Sequence, residues 1–270
     1  MKTLDNTRKH KKKLKLCCVF LYFYYNKKVE KISNIMDYSH ITELDLFKKG
    51  LTKLPDLSIY TNLKKLNCSY NKITSLDNLP PTLTELNCSF NNITSLNNLP
   101  LTLTGLYCTH NKITSLDNLP LTLTELECSF NNIISLDNLP PAIIELYCYN
   151  NEITSLDNLP LTLSELDCSG NNISTLDNLP LTLIELYCSS NKITTLDNLP
   201  LTLIKLDCSY NKIATLDNLP LTLIELYCSE NKITTLDNLP LTLKKLYCSR
   251  NPLQYDFNPT LENIRKYKNI

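Results

Sequence analysis

The fold class this sequence predicts is a solenoid of stacked parallel strands, of the α/β repeat type, with an outer side too short for helices. Three observations carry it. The phrase LTLIELYCSSNKITTLDNLP at 181–200 returns at 221–240 with one change, Glu230 for Ser190. Drifted copies run from Leu63 to Leu253 in steps of 20 residues, and a fixed short period marks a repeat architecture. Within it, Cys recurs at ten positions from Cys68 to Cys248, and Asn at ten from Asn71 to Asn251.

One unit reads Leu63-x-x-Leu66-x-Cys68-x-x-Asn71-x-Ile73, then Leu76, Leu79 and Pro80. Leu66 and Cys68 are two apart, so in a strand they share the inner face, while Lys65, Asn67 and Ser69 face out. After Ile73 the period changes. Leu76 and Leu79 suit a tight turn or an irregular inward loop, and Pro80 fixes the backbone before the next strand. About nine residues lie between strands, too few for a crossover helix, so the outer side is expected to be 3₁₀ or polyproline-like. A single unit cannot bury its apolar edge; stacked units cover one another, and stability becomes a sum of neighbour terms.

In chain order, residues 1–35 lie outside the repeat. A basic run, Arg8 to Lys15, precedes an apolar run, Leu16 to Tyr25. Ten apolar residues are too few to span a bilayer, and no small-residue cleavage site follows them, as a signal peptide requires. This is read as a basic, aromatic extension, with translation from Met36 as the alternative. Residues 36–62 hold an atypical first unit, with Ile41, Leu44, Leu46 and Leu51 in the apolar slots and Lys49 where Asn should be. Terminal repeats depart from the pattern because one face meets water. Ten regular units fill 63–253. Residues 254–270 are expected to cap the last coil, with Asn258 and Pro259 opening a short helix whose apolar face carries Leu261, Ile264 and Tyr267.

The pattern resembles the leucine-rich repeat family, in its short-repeat branch, where a unit reads LPxxLxxLxxxxNxLxxLP. LPPTLTELNCSFNNITSL at 79–96 and its copies carry the likeness. Bacterial effector repeats have this form. The Cys slot and the LDNLP turn look closest to repeats encoded by giant DNA viruses of the mimivirus kind. The resemblance covers residues 41 to about 257. It implies a leucine-rich repeat solenoid and a protein-binding role, and a fold alone does not fix a function.

Charge is balanced, 27 basic against 27 acidic residues, but unevenly placed. Residues 1–36 hold ten Lys or Arg and two acids, a net of +8, so the remainder, with 17 basic and 25 acidic residues, carries −8. An acidic solenoid argues against nucleic acid along it. With three glycines, there is no Gly-rich phosphate loop. The ten regular Cys have no CxxC or Cys-His spacing. They stand where Leu46 stands in the first unit, so they are read as small packing groups in a reducing, intracellular and cytoplasmic setting, a host cytoplasm if the giant-virus likeness holds. The Asn column is read as backbone-bonding at the corner after each strand. The Asp column, from Asp77 to Asp237, is read as turn residues accepting backbone N–H groups. No cofactor or metal is expected, and no nucleophile–base pair stands out, so the chain is read as non-catalytic.

The candidate site is the exposed strand face, expected to be concave. One column carries Glu145, Glu165 and Glu185 among its acids. Beside it run Tyr107, Tyr147, Tyr187, Tyr227 and Tyr247, largely alternating with acids. Further along lie Tyr149 and a variable column including Phe90 and Phe130. Aromatic residues mark protein interfaces, although cross-strand packing alone would also favour Tyr rows. The expectation is a protein-interaction scaffold whose partner carries basic residues. The rival classes are a substrate adaptor in ubiquitin ligation, which needs an appended domain, and a membrane-anchored or secreted receptor, which rests on residues 1–25.

Overall fold

The structure is a computed structural model that describes residues 37–268. The chain divides into two units, Met1–His40 and Ile41–Ile270. In the first, the described residues form one turn, with the Ser39 amide donating to Asp37 Oδ1 at 2.8 Å. The expectations for residues 1–35 lie outside the described residues.

The second unit is the expected solenoid. Eleven strands of three residues each, β1 (Glu43–Asp45), β2 (Lys65–Asn67), β3 (Glu85–Asn87), β4 (Gly105–Tyr107), β5 (Glu125–Glu127), β6 (Glu145–Tyr147), β7 (Glu165–Asp167), β8 (Glu185–Tyr187), β9 (Lys205–Asp207), β10 (Glu225–Tyr227) and β11 (Lys245–Tyr247), form one sheet in chain order. Among the described residues all ten strand pairings are parallel, and equivalent residues pair, as Leu126 with Leu146. The central Leu of each strand points inward because its neighbours are polar. Leu86, Leu106 and Leu126 are wholly buried. Burying such a side chain contributes about 1.5–3 kcal/mol.

Three corners close each coil. After the strand, the variable column turns the chain in the left-handed region, with φ of 57° at Tyr70, 55° at Phe90 and 53° at His110. The outer segment then drops Ile and Leu inward, as Ile113 and Leu116. It is tied to the next coil by one backbone bond, for example Asn132 N to Ile113 O at 2.9 Å. A second corner turns on Asn in the left-handed region, with φ of 62° at Asn118, a conformation Asn tolerates better than most residues. The third is a tight turn closed by Leu123 N donating to Pro120 O at 3.0 Å. The outer side is turns and extended chain, with no helix between strands among the described residues.

The threonine at each third corner locks coil to coil. Thr182 Oγ1 donates to Leu161 O and Leu163 O of the preceding coil, both at 2.8 Å. The same pairing recurs at Thr202, Thr222 and Thr242. The ten repeat cysteines are buried and unpaired, as packing groups. Burial pushes the Cys68 thiol up to about 12 and the Cys148 thiol well above its ordinary value.

The Asp column departs from expectation. Its carboxylates accept from side chains rather than backbone amides. Asp137 takes the Ser135 hydroxyl at 2.7 Å and, from the next coil, Asn158 Nδ2 at 3.2 Å. The corner's own amide is taken by the serine, Asp137 N donating to Ser135 Oγ at 3.0 Å, so the acid stitches neighbouring corners instead. These bonds hold the Asp137 carboxyl below its usual range.

The C-terminal helix α1 spans Leu261–Tyr267 and is capped by Thr260, not by Asn258. Thr260 is extended, with φ −74° and ψ 155°, and its hydroxyl accepts from Asn263 N at 3.2 Å. The Asn258 carbonyl serves the cap differently, accepting from Thr260 N and Asn263 Nδ2. Ile264 is buried against the last coil, while Tyr267 clusters with Tyr255 and Phe257. Arg265 Nη2 donates to Leu241 O at 2.9 Å and Leu243 O at 2.7 Å, satisfying carbonyls that a further coil would otherwise take.

Candidate protein-interaction surface

The outward residues of the eleven strands make an open face of parallel columns, because successive side chains alternate between the two sides of a strand. The first column is acidic, and its ends are neutralised from within. Lys65 pairs with Glu85 at 2.5 Å, Lys205 lies 3.6 Å from Glu185, and Lys245 pairs with Glu225 at 2.6 Å. Between β3 and β9 no Lys or Arg stands in the strand-face columns. Glu125, Glu127, Glu145, Glu165 and Asp167 thus form an acidic middle without a facing cation. Burial raises the Asp167 carboxyl above its ordinary range, although Ser169 works against it.

The tyrosines stand among these acids and bond to them. Tyr147 OH donates to Glu145 Oε2 at 3.3 Å. Tyr187 OH donates to Glu185 Oε2 at 2.6 Å and accepts from Lys205 Nζ at 2.6 Å. Lys205 Nζ also lies 4.7 Å from the Tyr187 ring centroid, within cation–π range. Burial first, then Glu125, pushes the Tyr107 phenol up; burial and then Glu165 do the same at Tyr147. The acceptors are the first-column acids two residues back in the same strand, Glu145, Glu185 and Glu225, rather than the acids that alternate with Tyr. Where two tyrosines adjoin, Tyr227 and Tyr247, they also stack at 4.7 Å, while Tyr227 OH still donates to Glu225 Oε2 at 3.3 Å.

Phe90 and Phe130 fall into one aromatic run along the strand-exit corner. Tyr70 stacks on Phe90 at 4.1 Å, Phe90 on His110 at 4.3 Å, and His110 on Phe130 at 4.0 Å. Tyr149 closes it edge-on to Phe130 at 4.9 Å. Phe90 and Phe130 are both 36% exposed. All four stacked residues hold positive φ, which costs a residue with a side chain roughly 1–2 kcal/mol. The Thr109 and Ser129 hydroxyls, in neighbouring coils beside this run, are buried and make no hydrogen bond. Every expected site residue thus lies on one face or its exit corner, but not as one cluster. Tyr107, Tyr147 and Tyr149 with Glu145 and Glu165 lie mid-sheet, Phe90 and Phe130 on the corner, and Tyr227 and Tyr247 near the end.

The structure also shows a surface the strand pattern does not announce. The first residue after each Leu-Pro sits at the tip of the third corner. Leu101, Leu121, Leu161, Leu181, Leu201, Leu221 and Leu241 occupy it, exposed between 66% and 80%. Pro81 and Pro141 hold the same position in two of the remaining regular units, and Thr61 in the first. In sequence Leu181 and Leu183 look like partners on one inner face, two apart, but the turn between them sends only Leu183 inward. The signal was the alternation with Pro, a turn residue, at that one position.

Among the described residues, no group of three or more His, Cys, Asp or Glu is gathered to hold a metal ion, and no helix is long and apolar enough to cross a membrane.

No protein-family profile matches the chain, and no curated protein does. Solved structures do. The functional domain of InlJ from Listeria monocytogenes, described as including a cysteine ladder, is 36% identical over 80% of this chain and 50% of its own, with a TM-score of 0.70. YopM, a leucine-rich effector protein from Yersinia pestis, is 34% identical over 83% of this chain and 65% of its own, with a TM-score of 0.74. The leucine-rich repeat domain of APL1 is 25% identical over 74% and 60%, with a TM-score of 0.65. This chain spans 50% to 65% of the length of those proteins. Its fold is a leucine-rich repeat solenoid, and its neighbours are leucine-rich repeat proteins with repeats of the same short kind.

Proposed function

We propose that this chain is a non-catalytic protein-interaction scaffold. Its partner lies on the open strand face and presents Lys or Arg to the middle of the sheet. One observation carries the reading: Glu125, Glu127, Glu145, Glu165 and Asp167 lack a facing cation, whereas Glu85, Glu185 and Glu225 have one. Like charges held in a row repel, and a cationic partner relieves that repulsion while gaining steered association. Tyr147 and Tyr149 add amphipathic rings of the type that supply interface hot spots. The neighbours support a binding role by analogy. YopM is described as an effector, and APL1C is described in complex with LRIM1. A reducing intracellular setting is part of the same proposal, supported by ten unpaired thiols in adjacent coils; the giant-virus likeness would make that setting a host cytoplasm.

Affinity capture from a matched lysate tests the reading. Substituting Tyr147 and Tyr187 by Ala should remove the captured partner and leave the circular dichroism unchanged. Glu145→Lys with Glu165→Lys should do the same, and added salt should weaken capture by the parent. A capture pattern indifferent to both variants would place the partner elsewhere.

A further inference from the structure

We propose that the row of exposed leucines at the third corner is a self-association interface, by which two copies of this chain pair antiparallel along their rims. This goes beyond the strand-face reading and does not rest on it.

The row gains nothing for its own fold. A tight turn tolerates most residues at this position and favours Pro, and Pro81 and Pro141 take it without disturbing the coil period. Leu161 nevertheless leaves 80% of its surface in water and Leu201 77%. The column keeps Leu while the strand-exit column, although held in the left-handed region, drifts through Tyr, Phe, His, Asn, Gly, Ser, Glu and Arg. Ile184 and Ile204, three residues further along the chain, are exposed at 41% and 40%.

Area, charge and spacing choose the occupant. From Leu161 to Leu241 five leucines run without interruption, bounded by Pro141 on one side and the α1 cap on the other. With Ile184 and Ile204 they offer on the order of 800 Å², the share each partner gives to a standard stable interface. A typical monomer's largest apolar patch is about 300–600 Å². Around its middle leucines the lane is also free of charge, with no ionisable side chain between Asp177 and Glu185 or between Asp197 and Lys205; cations, Lys244 and Arg265, stand only at its Leu241 end. Two acidic solenoids would repel across their open faces, but not across this lane. The knobs repeat at the coil spacing of about 4.8 Å, held by the Thr182, Thr202 and Thr222 bonds. A second array of the same pitch, reversed by a two-fold axis, can lie against it leucine to leucine along the whole row, and such an isologous contact closes as a dimer. The axis falls at the middle leucine, so Leu201 meets its own copy and Leu161 meets Leu241 of the second copy.

Sedimentation velocity of the full chain at tens of micromolar, under reducing conditions, should give twice the 30.9 kDa chain mass. Leu181→Asp with Leu201→Asp should return the monomer, weakening association at least about a hundredfold, because unpaired carboxylates would be buried. Should that variant fold poorly, Leu181→Pro with Leu201→Pro uses a residue the same corner already holds at 81 and 141, and it should also shift the mass toward monomer. Register is read separately, with Cys17 and Cys18 replaced by Ser. On mild oxidation Leu201→Cys should cross-link to itself rapidly, and Leu161→Cys should not. A monomeric parent, a dimer indifferent to the leucine variants, or equal cross-linking at 161 and 201 would overturn the proposal. So would a parent that stays monomeric but floats with neutral lipid vesicles through these leucines. Loss of partner capture by the strand-face variants leaves the dimer untouched, so the two readings fail independently.

Discussion

Asn151 commits its whole side chain to backbone. Its Nδ2 donates to Cys128 O at 3.2 Å and Cys148 O at 3.0 Å, and its Oδ1 accepts from Ile133 N at 3.0 Å. The side chain therefore ties its own strand end to the coil before it. Asn151→Ala leaves these groups buried without partners, at about 1–3 kcal/mol each, and urea unfolding should show a loss of at least about 2 kcal/mol by the same rule. Asn151→Asp should fare no better, since a carboxylate cannot donate. Ser129→Ala tests the opposite case: its hydroxyl is buried and unbonded, so its removal should be neutral or mildly stabilising in the same assay. The Asn role was legible in the sequence, because one residue type at one corner in every coil demands a shared backbone task. The Asp role was not. Its partners, a Ser two residues back and an Asn from the next coil, depend on how two corners stack, which spacing along one chain does not encode.

The cysteine column gives its element a pH signature. Burial raises the thiols from Cys88 to Cys228 in the fold. In the unfolded chain they titrate near their ordinary value of about 8.5. Below that value both states hold the proton and the stabilisation is fully present. Above it the unfolded chain releases protons the fold retains, so stability falls as pH rises toward the folded values. Each thiol adds a slope of up to about 1.4 kcal/mol per pH unit. The denaturant midpoint should therefore drop steeply above pH ~9, with the raised Tyr107 and Tyr147 phenols acting in the same direction. A thiol reagent at neutral pH should find the repeat cysteines silent until unfolding. At the cap, Ile264→Ala should cost about 2–5 kcal/mol and fray the last coils first, seen as faster amide exchange around β11 than around β6. That a C-terminal segment closes the array was readable from Leu261 and Ile264. The helix start was not, since Asn258-Pro259 and Thr260 both offer cap chemistry, and only the extended backbone at Thr260 decides between them.

At the scale of the whole molecule, stability is a sum over neighbours, while recognition belongs to surfaces no single coil has. The solenoid was legible because one apolar pattern repeats, and each copy demands the same burial. The open face was legible as columns, but not its electrical asymmetry, which arises because Lys65, Lys205 and Lys245 neutralise acids toward the ends and leave the middle bare. The leucine rim was hidden for a different reason: apolar residues two apart look alike until a turn separates them. The most direct measurement places a photo-crosslinking side chain at Tyr147 on the open face, or at Thr154 on the outer side, and identifies what each captures from a matched lysate. The account predicts that position 147 yields a partner whose cross-linked peptide is rich in Lys or Arg, and that position 154 does not. The same partner captured from 154 and not from 147 would contradict it.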